Sequence, residues 1–412
     1  MNSIILRYGV GPCALACLIG LIAIGTLLLA CPFCQVTSFA LIDIFTTATS
    51  CVTTTGLMTV PLQNFSPIGQ GIMLMLIQLG GLLIVTLTLA ALSALLSTQK
   101  YYPFWQTIKR IIYATICIEL VCAGIIYTII KADYAIGRGL FVALFHAVSS
   151  LCNTGFTLFD DGMISYQANY PMLMITMLLM LIGDIGFFTW FDLIKKVRHS
   201  LPLSVHSRIV LQTTVVIIAC GTLLFIGLEK IPLISALFNA ISIKGTGFLT
   251  MRLHSLTNAT LFGIMIIALI GTSPGSTGGG IKTTSCALIL ATVTAIITGR
   301  RTITLGGKRM STDQITKAFT ILVLSLIWIS FILFLLLASQ QQSFLTLAFE
   351  TVSAFSNLGQ SFQTDPYSMT LANKIALMGS MIIGKLGTVS IALTLHHMDS
   401  QKTELQQEVM VL

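Results

Sequence analysis

The sequence predicts an all-α integral membrane protein built from four repeated units, each a span, a short half-helix and a second span. Three observations predict it: the scarcity of charge, the number and length of the apolar runs, and four Gly-ended segments recurring at nearly even spacing. Of the 412 residues, 55 % are hydrophobic and 9 % charged. A water-soluble domain carries about 25 % charged residues, so this chain lacks the charge to cover a surface facing water. Apolar runs of spanning length lie at about 11–30, 69–96, 108–130, 171–194, 209–228, 258–298, 316–338 and 371–395; a helix needs about 20 residues to cross a bilayer.

The net charge is +8, and its placement points to topology rather than to a nucleic-acid partner. Three clusters hold twelve of the 22 basic residues: Lys100, Lys109 and Arg110; Lys195, Lys196, Arg198 and Arg208; Arg300, Arg301, Lys308, Arg309 and Lys317. Basic loops between apolar runs stay on the cytoplasmic side. Both termini are therefore expected in the cytoplasm, with the basic loops near anionic membrane lipid. The ten cysteines fit no zinc spacing. Cys31-Pro-Phe-Cys34 lacks the strand–helix context of a redox motif, and the cysteines read as packing residues.

Between successive pairs of spans lie shorter segments, at about 40–56, 140–155, 233–247 and 345–359, too short to cross as helices. They end at Gly56, Gly155, Gly247 and Gly359, separated by 99, 92 and 112 residues. Segments two to four share a Phe (Phe145, Phe238, Phe349), a Ser four residues on (Ser149, Ser242, Ser353) and the glycine. Counted from Phe45, the first segment is one residue longer than the second and fourth. A repeat at near-constant period fixes architecture before any detail. The units are 1–100, 101–204, 205–310 and 311–412, the third containing an intramembrane loop at 271–284 and the fourth the cytoplasmic tail.

Backbone that is not helical survives in hydrocarbon only where protein buries it or water reaches it. Four Gly-ended loops in register are costly unless they meet around an axis, where backbone carbonyls can replace the hydration shell of a cation. Gly tolerates the required backbone angles and leaves no Cβ in the way. The half-helices aim their partially negative C-terminal ends at the same point. The expected arrangement is pseudo-fourfold around one central pore. Its filter residues are Thr54, Thr55 and Gly56; Asn153, Thr154 and Gly155; Gly245, Thr246 and Gly247; Asn357, Leu358 and Gly359.

Thr53-Thr54-Thr55-Gly56-Leu57, Phe145-His146-Ala147-Val148-Ser149, Asn153-Thr154-Gly155-Phe156, Gln78-Leu79-Gly80-Gly81 and Gly186-Phe187-Phe188 resemble the Trk/Ktr/HKT superfamily of K⁺ transporters. The resemblance is most specific over 271–284, Gly-Thr-Ser-Pro-Gly-Ser-Thr-Gly-Gly-Gly-Ile-Lys-Thr-Thr. It covers the whole chain and is similar to the ion-translocating membrane subunit of the bacterial KtrB/TrkH type. With no spans before the first unit, the pattern is nearer the shorter Ktr-type subunit. The third filter departs from the family's Arg-Thr-Ala-Gly, reading Lys244-Gly245-Thr246-Gly247. The fourth departs from Gly-Thr-Val-Gly, reading Ser356-Asn357-Leu358-Gly359. Gly56, where a Ser accompanies Na⁺ transport in the superfamily, favours K⁺.

The resemblance implies channel-like K⁺ uptake across the cytoplasmic (inner) membrane, no cofactor besides the transported K⁺, a homodimer, and a cytosolic nucleotide-binding regulatory ring of the KtrA/TrkA kind. It makes 271–284 a gate, with Gly275, Gly278, Gly279, Gly280, Lys282 and Lys385 as gate residues. Physical chemistry agrees that 271–284 is not helix, since Pro274 and five glycines cannot sustain one. A Na⁺-permeable or ion-coupled symporter of the same superfamily is the alternative.

Intramembrane charges are functional candidates by default. Lys385 either points at the pore below the filter or snorkels to the interface. Lys244 and Glu350 are expected to support the filter as a buried pair, or Glu350 caps the start of its half-helix; Asp43 begins the first half-helix and has the same option. Asp160, Asp161 and Asp365 follow filters on the outer side, where they concentrate cations or are simply solvated. Asp184, in Leu181-Ile182-Gly183-Asp184, falls short of the intramembrane protease motif GxGD, and no enzyme is expected. His146 is expected to hydrogen-bond locally, and His396-His397 to sit at an interface.

Overall fold

A computed structural model describes residues 10–96, 104–300, 302–362 and 369–397. In hydrocarbon every amide has to bond within its own segment, and the apolar runs accordingly form helices: α1 (Val10–Leu29), α3 (Pro67–Leu96), α4 (Phe104–Ile130), α6 (Tyr170–Ile185), α7 (Phe187–His199), α8 (Val205–Leu224), α10 (Asn258–Ile270), α11 (Thr283–Ile297), α12 (Thr312–Ser339) and α14 (Leu371–His397). The Gly-ended segments form α2 (Leu41–Val52), α5 (Ile136–Leu151), α9 (Leu233–Ser242) and α13 (Phe344–Ser356). Among the described residues, Pro67–Leu89, Trp105–Ile130, Val205–Glu229 and Thr312–Ser339 are each long and apolar enough to cross a membrane, and the bent pair α6 and α7 reaches that length and apolarity only when the two are taken together.

Several helix N-termini carry side-chain caps. Asn169 accepts from the Met172 amide, Ser204 from Ser207, Thr257 from Thr260 and Ser343 from Thr346. Ser311 and Gln314 form a reciprocal capping box at the start of α12, satisfying amides that have no partner one turn back.

Two expected spans are broken. The run 171–194 bends by 102° between α6 and α7. The bend falls at Gly186, whose φ of 85° and ψ of 147° lie where only glycine rests without strain. The run 258–298 divides into α10 and α11, and the non-helical stretch between them is 271–282, because Lys282 already caps α11. A small departure from all-α structure lies in the third basic cluster. There β1 (Thr304–Leu305) pairs antiparallel with β2 (Lys308–Arg309) around Gly306 and Gly307 at φ of 60° and 83°, the two-residue turn that positive φ permits.

Each short helix packs against the helix before it and against the helix that follows the preceding short helix. Thus α5 touches α3, α9 touches α6, α13 touches α10, and α14 returns to touch both α1 and α2. The order of contacts closes on itself. The outer faces are apolar and exposed, as with Tyr113, Leu120 and Val121 on α4 and Ile327, Phe331 and Phe334 on α12. The interior, by contrast, buries many Thr and Ser and the charges Asp184, Lys244, Lys282, Glu350 and Lys385. That inversion of the soluble pattern suits lipid outside and a polar centre.

Candidate functional site

The short helices end on one recurring turn. The amides of Thr55, Thr154 and Leu358 donate to the carbonyls of Ser50, Ser149 and Ser353, five residues back, at 2.8, 2.9 and 2.9 Å. Each turn needs one left-handed residue: Thr54 at φ 49°, Asn153 at 53° and Asn357 at 54°. The third loop is one residue shorter and has no such residue. The amides of Gly245, Thr246 and Gly247 all converge on the Ser242 carbonyl, at 3.2, 2.8 and 2.9 Å. Counted from the serine, loops one, two and four have equal length. The Phe-based register of the first segment is therefore corrected: Thr46, not Phe45, stands where the other segments carry Phe.

The four glycines then meet the next loop in order. A β-carbon at Gly56 would stand 1.9 Å from the Thr154 carbonyl oxygen, and one at Gly155 2.1 Å from that of Thr246. One at Gly247 would stand 1.9 Å from Leu358 O, and one at Gly359 1.9 Å from Thr55 O. All four have positive φ, between 76° and 90°. Real β-carbons do not approach an oxygen so closely, so the positions admit only glycine. The contacts run 56 to 154, 155 to 246, 247 to 358 and 359 to 55, a closed cycle of four loops. Side chains join neighbouring loops as well: Thr246 Oγ1 donates to Asn153 Oδ1 at 2.6 Å, and Asn357 Nδ2 to Thr55 Oγ1 at 2.5 Å.

The stretch 271–282 lies directly against this cycle. Thr54 Oγ1 donates to the Thr277 carbonyl at 3.2 Å and Asn153 Nδ2 to Thr277 Oγ1 at 3.1 Å. A β-carbon at Gly245 would meet Thr272 Cγ2 at 2.4 Å, and one at Gly279 would meet Asn357 Oδ1 at 2.0 Å. The stretch thus touches all four loops. It also docks on the break in the bent span, through Ser273 N to Asp184 O, Thr277 N to Gly183 O and Phe187 N to Gly275 O, each 3.3 Å. These bonds satisfy backbone that no helix can. Gly275, Gly278, Gly279 and Gly280 are all buried here.

Two ammonium groups hold carbonyls of the stretch. Lys282 Nζ donates to Gly278 O at 2.8 Å and to Thr272 Oγ1 at 3.3 Å. Lys385 Nζ donates to Thr277 O and Thr54 Oγ1. Lys385 is 1 % exposed, so it does not snorkel.

The expected pairing of Lys244 with Glu350 is overturned. Lys244 forms its ion pair with Asp184, both buried, and donates also to Thr214 Oγ1 at 3.3 Å. Glu350 is not at its helix start, where Ser343 is the cap. It lies in mid-helix, fully buried, and accepts from Ser361 Oγ at 2.7 Å and the Phe362 amide at 2.6 Å. Each charge thus holds a different part of the assembly. Asp43 lies in the first turn of α2 and pairs with Lys374 of α14 at 2.6 Å. His146 bonds Thr176 of the next span at 3.0 Å, not its own helix. Asp160 and Asp161 are exposed; Asp365 and the side chains of His396 and His397 lie outside the described residues.

Sequence reasoning missed Asp184 as the partner of Lys244, Lys374 as the partner of Asp43, and Glu119, a buried acid on α4. A signal existed for the first: a buried ammonium needs a counter-charge, and Asp184 was the other uncommitted intramembrane acid considered.

Apolar helices outside, buried polar loops inside and non-helical backbone at their centre define a multi-pass membrane protein with a polar, non-helical interior. The sequence profile of TrkH, described as a cation transport protein, matches residues 85–406, and the chain belongs to that family. It is 29 % identical over 397 residues to the Ktr system potassium uptake protein B of Bacillus subtilis, covering 90 % of this chain and 89 % of that one. It is 26 % identical over 408 residues to the potassium/sodium uptake protein NtpJ of Enterococcus hirae, covering 91 % and 90 %. The crystal structure of the potassium transporter TrkH from Vibrio parahaemolyticus shares the fold, with a TM-score of 0.76 and 21 % identity over 94 % of this chain and 84 % of that one. These relatives are described as uptake proteins or transporters, not as enzymes.

Proposed function

We propose that this chain takes up K⁺ across the cytoplasmic membrane through a carbonyl-lined filter formed by the four Gly-ended loops. The closed cycle of glycine-to-carbonyl approaches carries the reading. It brings the carbonyls of Thr55, Thr154, Thr246 and Leu358 to one place, and a ring of carbonyls can replace a cation's water shell. The four units, 1–100, 101–204, 205–310 and 311–412, are then pseudo-fourfold repeats around a single ion path. The stretch 271–282, pressed against all four loops, is its gate. Lys385 and Lys282 hold the gate closed and place positive charge where a cation has to pass. Lys244 and Glu350 support the filter, each through its own partner.

An inside-negative potential supplies about 2.3 kcal/mol per charge per 100 mV, so uptake needs no chemical step. The basic loops face the cytoplasm, as do both termini, and the subunit works as a homodimer with a cytosolic nucleotide-binding ring. The relatives named as parts of a Ktr system support a partner of that kind. The test is ⁸⁶Rb⁺ uptake into proteoliposomes with K⁺ and Na⁺ as competitors. Uptake that K⁺ blocks and Na⁺ does not supports the reading; absence of Rb⁺ flux from folded protein refutes it. The third and fourth loops and the relative named for potassium and sodium favour a second reading, a Na⁺-permeable or ion-coupled carrier. Flux that requires Na⁺ or a proton gradient in the same assay would select it.

A further inference from the structure

The four loops differ in the residue that follows the glycine. Leu57, Phe156 and Phe248 are apolar and buried, whereas the fourth is Gln360, half-buried. Its Nε2 donates to the carbonyl of Gly247 in the third loop, and its Cγ lies 3.4 Å from where a β-carbon of Gly247 would stand.

The position is built by contacts the other loops lack. Ser353 Oγ donates to the Gln360 carbonyl at 2.6 Å, while among the described residues the hydroxyls of the matching Ser50, Ser149 and Ser242 have no partner. Glu350 fixes the next two residues through Ser361 Oγ and the Phe362 amide. The Gln360 backbone is therefore held on both sides, and its side chain reaches across to the neighbouring loop.

Resting on the reading of these loops as a cation filter, we propose that Gln360 is a specificity-determining residue that competes with the permeant monovalent cation. An N–H donor occupies Gly247 O, one residue beyond the Thr246 carbonyl, whereas among the described residues the carbonyls of Gly56, Gly155 and Gly359 accept no hydrogen bond, so one of these four equivalent oxygens is already bonded. A cation reaching these oxygens displaces the amide. The occupied carbonyl weakens cation capture, and it weakens discrimination, because an incomplete ring fixes the ion less well.

The test is the concentration dependence of ⁸⁶Rb⁺ uptake in proteoliposomes holding the full chain, its Gln360→Leu variant or its Gln360→Met variant. Leu restores the apolar character of the other three loops; Met keeps the length of Gln without a donor. The apparent KM for Rb⁺ is expected to fall about five-fold, the change that removing one ordinary competing hydrogen bond gives. Maximal rate should be little altered, and more Na⁺ should be needed for half-inhibition. If Leu does not give monodisperse protein, Met decides. Unchanged KM and unchanged Na⁺ competition overturn the proposal, and so does loss of uptake in folded variants, which would make Gln360 a brace. Lack of Rb⁺ uptake by the unaltered chain is a separate outcome that removes the filter reading itself.

Discussion

Among the described residues, Asn153–Gly155 holds its shape with neutral side chains and Thr53–Gly56 adds only the Lys385 ammonium on Thr54, whereas Lys244–Gly247 and the segment after Gly359 each rest on a buried carboxylate. In the first pair, the Thr53 and Thr55 hydroxyls bond at 2.7 Å, and Asn153 bridges Thr246 and Thr277. In the second pair, Lys244 leans on Asp184 and the segment after Gly359 leans on Glu350. The loops that depart most from the family pattern are thus the ones anchored by a carboxylate. The shortened third loop has given up the left-handed turn residue, and an ammonium tied to a neighbouring span takes over its positioning. The anchor also runs further: the Asp184 carboxylate holds the third loop while its carbonyl accepts from Ser273 of the 271–282 stretch. One residue therefore links the third loop and the 271–282 stretch.

The largest effect expected from this contrast is at Asp184. Asp184→Asn leaves the Lys244 ammonium buried without a counter-charge, a cost of about 3–5 kcal/mol. Thermal unfolding followed by size-exclusion in detergent should show a large loss of stability, and Lys244→Gln in the same background should recover most of it. Equal stability of Asp184→Asn and the unaltered chain would break the comparison. Next is Gly155→Ala. Positive φ and the approach to Thr246 O both oppose a β-carbon, and backbone strain of about 1–3 kcal/mol should cut ⁸⁶Rb⁺ uptake ten-fold or more.

Lys385→Ala removes the ammonium that joins Thr54 to Thr277. Uptake should rise about ten-fold, as expected when a charge-assisted hydrogen bond holding the closed stretch is lost; unchanged or lower flux would deny Lys385 that role. The smallest effect is at Glu350. Glu350→Gln keeps the shape and weakens the bonds from Ser361 and Phe362, worth about 1–2 kcal/mol together. The shift should appear as altered Na⁺ competition with little change in thermal stability. A reversed order, with Glu350 outweighing Asp184, would show that the fourth loop and not the third is the one most dependent on charge.

Much of the fold was open to reading because hydrocarbon leaves few choices. Apolar runs of spanning length become helices, and Pro274 with its neighbouring glycines cannot. The glycines of the four loops were legible for the same reason: a short segment ending in Gly between two spans has little else to do. The break at Gly186 was not, since an apolar run continues through it and the bend depends on the 271–282 backbone packed against that glycine. Charge pairing was hidden too. Lys244 and Asp184 are 60 residues apart and Lys374 and Asp43 are 331 apart, and one-dimensional spacing cannot rank such partners. The Phe-based register slipped in the first segment because Phe45 adjoins the true position, and only the Ser50 carbonyl's hydrogen bond reveals it.

The sequence by itself determined that the chain is a mostly helical membrane protein, where most of its helices run, and which glycines close the four short segments. These follow from solvent chemistry and local backbone preference, which act over a few residues. Only the tertiary structure decided that the four loops close in a ring, that Asp184 and not Glu350 answers Lys244, and that Gln360 reaches the carbonyl of Gly247. Those are matters of proximity between distant segments, and a buried polar group bonds whatever partner the packing brings within about 3 Å.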